Sequence, residues 1–210
     1  MNHIFDWVFS QYADVPAHLV ALELIAVFFG LLSPIFSKNN NILVYPTGLI
    51  STALYVYILA VYGLLGDMMI NAYYFVMSIY GWYIWTRKTG PDHYTPITRT
   101  TAKEHQTSFW IFLATLIFVF CVYSFFDKWT SWTAYVDTLT TALFFVGMWL
   151  MAKKKLENWL YWIVADIISV PLYLYKGLIF SAVLFLVMTI IAIYGYRAWK
   201  NPLNNRLQTL

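Results

Sequence analysis

IYGWYIWTRK, residues 79–88, returns near the other end of the chain as IYGYRAWKN, residues 193–201. Ile79-Tyr80-Gly81 recurs as Ile193-Tyr194-Gly195, and Trp85 recurs as Trp199. Each copy closes a long apolar run. Two more patches repeat in the same order. Ser51, Leu54, Tyr55 and Tyr57 match Ser169, Leu172, Tyr173 and Tyr175, and Phe28-Phe29 match Phe144-Phe145. Aromatic-rich helices can match by chance, but three patches in one order favour an internal duplication.

Composition says what is duplicated. The 210 residues are 61% hydrophobic, 20% aromatic and only 11% charged. A soluble domain carries roughly a quarter charged residues, so these charges cannot cover a soluble surface and the chain reads as an integral membrane protein. A bilayer core of about 30 Å needs about 20 apolar residues per helix. Seven stretches qualify: 15–36, 42–63, 67–86, 108–126, 133–151, 158–176 and 178–198. The third and sixth are the weakest, because Gly66-Asp67 and Lys176-Gly177 leave tight turns.

The repeat then organises the chain. An N-terminal segment (1–14) precedes a three-helix unit (15–86). A polar linker (87–107), a connecting helix (108–126), a second three-helix unit (133–199) and a tail (200–210) follow. Each unit has an odd number of spans, so one connecting helix restores the same orientation. The predicted fold is all-α, with seven transmembrane helices in a 3+1+3 parallel repeat. Small transporters use this plan, with the substrate between the repeats near mid-membrane.

Positive charge orients it. Lys38, Arg87, Lys88, Arg99, Lys103, Lys153, Lys154, Lys155, Arg197, Lys200 and Arg206 fall on one side, and only Lys128 and Lys176 on the other. Cytoplasmic loops retain Lys and Arg, so the N-terminus is expected outside and the C-terminus inside. The sequence MNHIFDWVFSQYADVP lacks a basic start and a small-residue cleavage site, so no cleavable signal peptide is expected. The single cysteine, Cys121, excludes an intrachain disulfide. No basic run is interleaved with aromatics as nucleic-acid binding requires.

Two helix faces carry chemistry. At about 100° per residue, Trp159, Trp162, Asp166, Ser169 and Tyr173 fall within about 80° of arc. A carboxylate at membrane depth is costly and faces the bundle interior or a water-filled cavity, and indole faces attract cations. Together they suit an organic cation, or a ring with hydrogen-bonding groups. In span three, Asn71, Tyr74, Ser78, Gly81, Trp82 and Trp85 form a second stripe that supplies an amide, a phenol and a glycine. The span-two positions matched to the span-six stripe are Asn41, Val44, Gly48, Ser51 and Tyr55. On that match Gly48 stands opposite Asp166.

Other readings stay open for some residues. Trp85, Trp159 and Tyr173 lie near span ends, where aromatic belts form. Gly81, Gly195 and Pro171 serve either as flex points or as sites of close packing. Glu23 and Asp137 are expected at the interface or hydrogen-bonded between helices, outside the site. No H-E-x-x-H, G-x-S-x-G or phosphate-loop motif occurs, and span seven lacks a retinal lysine. No enzyme activity, metal or cofactor is expected.

N-x-x-Y-x-x-M-x-x-Y-G-W-x-x-W (Asn71, Tyr74, Met77, Tyr80, Gly81, Trp82, Trp85) and W-x-x-W-x-x-x-D (Trp159, Trp162, Asp166), continuing into L-Y-x-x-K-G (Leu172, Tyr173, Lys176, Gly177), resemble the PnuC family of bacterial vitamin transporters. The resemblance covers all seven spans. It implies a fold similar to the SWEET sugar transporters, in the inner membrane. It further implies uptake of nicotinamide riboside by facilitated diffusion, with a cytoplasmic kinase trapping the substrate. W-x-x-W-x-x-x-N/D points to the nicotinamide riboside branch. A thiamine or riboflavin carrier of the same fold, or a ligand-sensing receptor that does not translocate, are the alternatives. Association between copies is left open.

Overall fold

A computed structural model describes residues 16–90, 93–127, 129, 131–176 and 179–208. The expected N-terminal segment 1–14, Lys128 and Gly177 lie outside the described residues. Seven helices follow in order: α1 (Ala17–Lys38), α2 (Val44–Val61), α3 (Leu65–Thr86), α4 (Ala102–Phe125), α5 (Thr133–Ala152), α6 (Asn158–Tyr175) and α7 (Ile179–Gln208). A short antiparallel hairpin, β1 (Lys88–Gly90) with β2 (His93–Tyr94), sits between α3 and α4. A 22-residue helix such as α1 rises about 33 Å at 1.5 Å per residue, enough to cross a bilayer.

By length and apolarity, five helices qualify as membrane spans: α1, α2, α4, α5 and the Ser181–Leu203 part of α7. The other two, α3 and α6, hold Asn71, Asp166 and most of the tyrosines and tryptophans of the two stripes. Their low hydropathy and their chemistry have one cause. Lipid need not solvate a face that is turned toward other helices.

The expected boundaries shift at two places. The connecting helix begins at Ala102 rather than 108, because Thr101 and Glu104 form a capping box, which satisfies orphan donors of the first turn. The last helix runs through the expected tail to Gln208. The linker is also more than a tether. Thr98 exchanges backbone hydrogen bonds with Lys154 and Leu156, and Glu157 accepts from the Thr100 amide at 2.8 Å and its hydroxyl at 2.7 Å. Glu104 pairs with Lys155 at 2.9 Å and Lys153 at 3.5 Å.

Within each unit the helices pack in sequence, α1 on α2 on α3 and α5 on α6 on α7. The units join reciprocally, α3 on α5 and α1 on α7, while α4 lies against α5. The repeat obeys a constant offset of 114 positions. Val44–Tyr62 and Leu65 map onto Asn158–Lys176 and Ile179, the starts and C-caps of the corresponding helices. Asn40 at φ 52 maps onto Lys154 at φ 59, and both follow the same turn. The Asn40 and Lys154 amides donate to Ser37 O and Met151 O, each at 2.9 Å.

This offset corrects the register read from sequence. Ser51 and Tyr55 match Ser169 and Tyr173 by their letters one helical turn too far, and Phe28-Phe29 match Phe144-Phe145 two positions too far. Thr52, not Gly48, is equivalent to Asp166. Gly48 is equivalent to Trp162, and Tyr45 to Trp159. Tyrosine and tryptophan do not look alike as letters, whereas the two S-x-x-L-Y strings do.

The loops that hold Lys38, Arg87, Lys88, Arg99 and Lys153 to Lys155 meet at one end of the bundle, with the end of α7. Trp199 Nε1 there donates to Ser37 O at 3.0 Å, and the Lys154 ammonium lies 4.3 Å from the Trp85 ring centre. We call this the basic end.

Candidate functional site

A cavity of about 710 Å³ lies between the repeats. Much of its lining comes in equivalent pairs at the offset of 114: Gly30 with Phe144, Pro34 with Met148, Tyr45 with Trp159, Gly48 with Trp162, Thr52 with Asp166, Asn71 with Phe185, Tyr74 with Met188 and Ser78 with Ala192. The cavity therefore straddles the pseudo-twofold axis.

The two walls differ in chemistry. Repeat one offers small or polar groups: Gly30, Ser33, Gly48, Thr52, Asn71, Tyr74 and Ser78. Repeat two offers rings and apolar chains at the equivalent places: Phe144, Trp162, Phe185, Met188 and Ala192. Phe144 and Trp162 have ring centres 5.3 Å apart, and Phe144 stacks on Phe185. Gly48 lets two serines approach closely. A Cβ there would stand 3.3 Å from Ser78 Oγ and 3.4 Å from Ser33 Oγ.

Asp166 stands on the same wall as these rings. It is 3% exposed and lines the cavity. Among the described residues it makes no ion pair and no hydrogen bond. Burial of a carboxylate without a partner is expensive, and the cavity is the space this side chain borders. Ser169 lies one turn along, and its hydroxyl is spent on Ala165 O at 2.9 Å.

Eight of the sequence-expected residues line the cavity: Trp159, Trp162, Asp166, Ser169, Tyr173, Asn71, Tyr74 and Ser78, together with Ser51. Four do not. Trp82 is 39% exposed at the rim of its stripe. Trp85 is buried and turns its indole N–H to Met151 O at 3.2 Å. Asn41 is exposed in the turn before α2 and accepts from the Leu43 amide. Tyr55 lies on α2 beyond the cavity lining. Trp85 and Trp159, at 3% and 2% exposure, are not belt residues. Gly81 and Gly195 are packing glycines: an added Cβ would collide with the Tyr45 ring at Gly81 and with the Trp159 ring at Gly195.

The mouth opposite the basic end was not anticipated. Asp137, expected outside the site, lines the cavity and pairs with Lys176 at 2.6 Å. Asp67 and Tyr123 line the same mouth. Their signal was available in L-Y-x-x-K-G, whose lysine closes α6 at the level where α5 begins. Among the described residues no cluster of His, Cys, Asp or Glu could hold a metal ion.

A family model described as nicotinamide mononucleotide transporter matches residues 20–201. The chain belongs to that family, the family of PnuC. It is a multi-pass membrane protein of a transporter family. The nicotinamide riboside transporter PnuC of Escherichia coli is 25% identical over 88% of this chain and 87% of its own length. The riboflavin/roseoflavin transporter RibM of Streptomyces davaonensis is 23% identical over 92% of each. A crystal structure of the vitamin B3 transporter PnuC superposes with a TM-score of 0.64, covering 97% of this chain and 88% of that one at 21% identity, which establishes the shared fold.

Proposed function

We propose that this PnuC-family protein carries nicotinamide riboside by facilitated diffusion across a bacterial inner membrane. The N-terminus stands outside and the C-terminus in the cytoplasm. The observation that carries the substrate choice is Asp166, a buried, unpaired carboxylate on the wall that carries Trp162 and Phe144. Nicotinamide riboside supplies a fixed pyridinium cation for it and a flat ring for Trp162. Its carboxamide and ribose hydroxyls suit Asn71, Tyr74 and Ser78 on the opposite wall. The PnuC name of the Escherichia coli relative points the same way.

The gathering of Lys and Arg at one end supports the orientation. Rocking of the two repeats about the cavity is the transport motion expected of this architecture. A cytoplasmic nicotinamide riboside kinase makes the flux directional. Phosphorylation adds about −1.5 to −2 charges, by analogy with phospho-residues, and Asp166 opposes return of an anion through a low-dielectric passage. Uptake of nicotinamide riboside into empty proteoliposomes tests transport, and the mononucleotide tests trapping. The riboside enters and the mononucleotide does not. Equal rates would sink the trapping step, and no entry of the riboside would leave only a receptor.

A second reading keeps the fold and takes riboflavin. The relative named RibM, matched over 92% of this chain, favours it. Riboflavin is neutral and tricyclic, so it would leave Asp166 without a counter-charge.

A further inference from the structure

Four rings form a floor beneath the cavity at the basic end. Tyr45 meets Trp85 edge-on with ring centres 5.2 Å apart, Trp85 meets Trp199 at 5.8 Å, and Trp199 meets Trp159 edge-on at 5.5 Å. Tyr45 and Trp159 line the cavity, whereas Trp85 and Trp199 form the layer below them. The row crosses from one repeat to the other, and its two halves are equivalent at the offset of 114. Each lower ring also reaches across: Trp85 Nε1 donates to Met151 O at 3.2 Å, and Trp199 Nε1 to Ser37 O at 3.0 Å.

We propose that this four-ring clasp is the gate at the basic end, and that Trp85 and Trp199 act in release rather than in substrate contact. The inference rests on the transporter reading above but not on the identity of the vitamin.

Three features make the clasp suited to opening. The acceptors Ser37 O and Met151 O also take the Asn40 and Lys154 amides at 2.9 Å. A carbonyl has two lone pairs, so departure of an indole leaves no orphaned acceptor. Second, the closed state leaves polar atoms unsatisfied at equivalent places. Tyr45 Oη and Trp159 Nε1 are buried without hydrogen-bond partners. Such groups carry a desolvation penalty, which water admitted on opening removes. Third, the polar links between the repeats here are two single hydrogen bonds, and the four rings pass through a core that also holds Met148, Met151 and Leu156. The Lys154 ammonium, 4.3 Å from the Trp85 ring centre, caps it from the basic side. A cation over an indole face is attractive, so Lys154 holds the gate shut.

A thiol probe reads the gate without any substrate. Met148 lines the cavity and is 5% exposed. Met148→Cys in a Cys121→Ser background reports entry of a membrane-impermeant maleimide, and Lys103→Cys, exposed near the start of α4, identifies which face of each vesicle preparation is the basic end. Trp85→Phe and Trp199→Phe keep a ring and delete the donor. Each raises labelling from the basic end roughly three- to tenfold, the factor worth one net hydrogen bond. Trp82→Phe, on the exposed rim of the same helix, does not. Lys154→Gln leaves all four rings in place and also raises labelling, which keeps the proposal testable if a tryptophan variant misfolds. Unchanged labelling in the folded variants, an equal rise in Trp82→Phe, or a rise only from the opposite face would overturn the gate. Failure of nicotinamide riboside to bind would leave these results intact and would count against the substrate alone.

Discussion

Trp85 and Trp199 hold each other's repeat. Trp85 donates to Met151 of the second repeat and Trp199 to Ser37 of the first, at equivalent positions and at 3.2 and 3.0 Å. One duplication thus produces two things at different depths. At the basic end it gives a symmetric joint. Above that joint it gives a cavity whose walls have diverged, with Trp162 and Asp166 facing Gly48 and Thr52.

Charge and hydrogen bonding at Asp166 separate by substitution. Asp166→Asn keeps polar groups and loses the counter-charge, so affinity for a pyridinium riboside falls roughly tenfold and its salt dependence flattens. Asp166→Leu also loses hydrogen bonding to the ligand and costs roughly a hundredfold, within the 1.5–3 kcal/mol typical of a charged hydrogen bond. Isothermal titration of the solubilised variants checks both. An Asp166→Asn protein that binds as tightly as the parent removes the carboxylate's charge from recognition.

Thr52 is equivalent to Asp166 but spends its hydroxyl on Gly48 O at 2.7 Å within its own helix. Thr52→Val therefore changes affinity less than about threefold. Gly48 behaves differently, because Ser33 and Ser78 stand close to where a Cβ would be. Gly48→Val narrows the cavity and weakens binding of a bulky ring more than of a single ring. Competition between riboflavin and nicotinamide riboside measures that difference.

The packing glycines make a stability forecast. Gly195→Ala places a Cβ 2.6 Å from the Trp159 ring, and Gly81→Ala does the same against Tyr45. Overpacking of this kind costs about 1–3 kcal/mol, so each variant lowers the unfolding temperature in detergent. Gly63 has nothing within 4 Å of such a Cβ but sits at φ 67. Its alanine variant pays only the left-handed backbone cost, about 1–2 kcal/mol. Thermal unfolding curves rank the three.

The Asp137–Lys176 pair at the far mouth is partly exposed, with 20% and 26% of the side chains accessible. Pairs of this kind contribute about 0–1 kcal/mol. Lys176→Met leaves stability nearly unchanged but makes the mouth more acidic beside Asp67. Initial uptake of a cationic substrate rises at low salt and the gain disappears at high salt, within the usual screening range. A gain that persists at high salt would mean a steric role for Lys176.

Much of this was legible in the sequence. Seven helices, a three-plus-one-plus-three repeat and the α6 stripe follow from apolar runs, recurring motifs and helical period. Depth and register do not. Asn71, Tyr74, Ser78 and Trp85 share one face of α3, yet the cavity ends before Trp85, because an angle on a helical wheel gives a direction and not a level. Register failed at α2 because matching letters, Ser51 with Ser169 and Tyr55 with Tyr173, outweighed matching geometry. The turns after α1 and α5, with Asn40 and Lys154 both at positive φ, fix the true offset. Tyr45 was missed for the same reason: it fills the place of Trp159 without resembling it. The anchored linker has no local pattern to read, since Thr98 and Thr100 meet Lys154, Leu156 and Glu157 far along the chain.

The most direct test of the central claim is a binding titration of the purified, detergent-solubilised protein with nicotinamide riboside, nicotinamide mononucleotide, thiamine and riboflavin. A cation-and-ring site around Trp162 and Asp166 binds the riboside tightly, the mononucleotide at least roughly tenfold more weakly, and neutral riboflavin weakly. Tight binding of riboflavin with none of the riboside, or binding of no compound in the set, would contradict it.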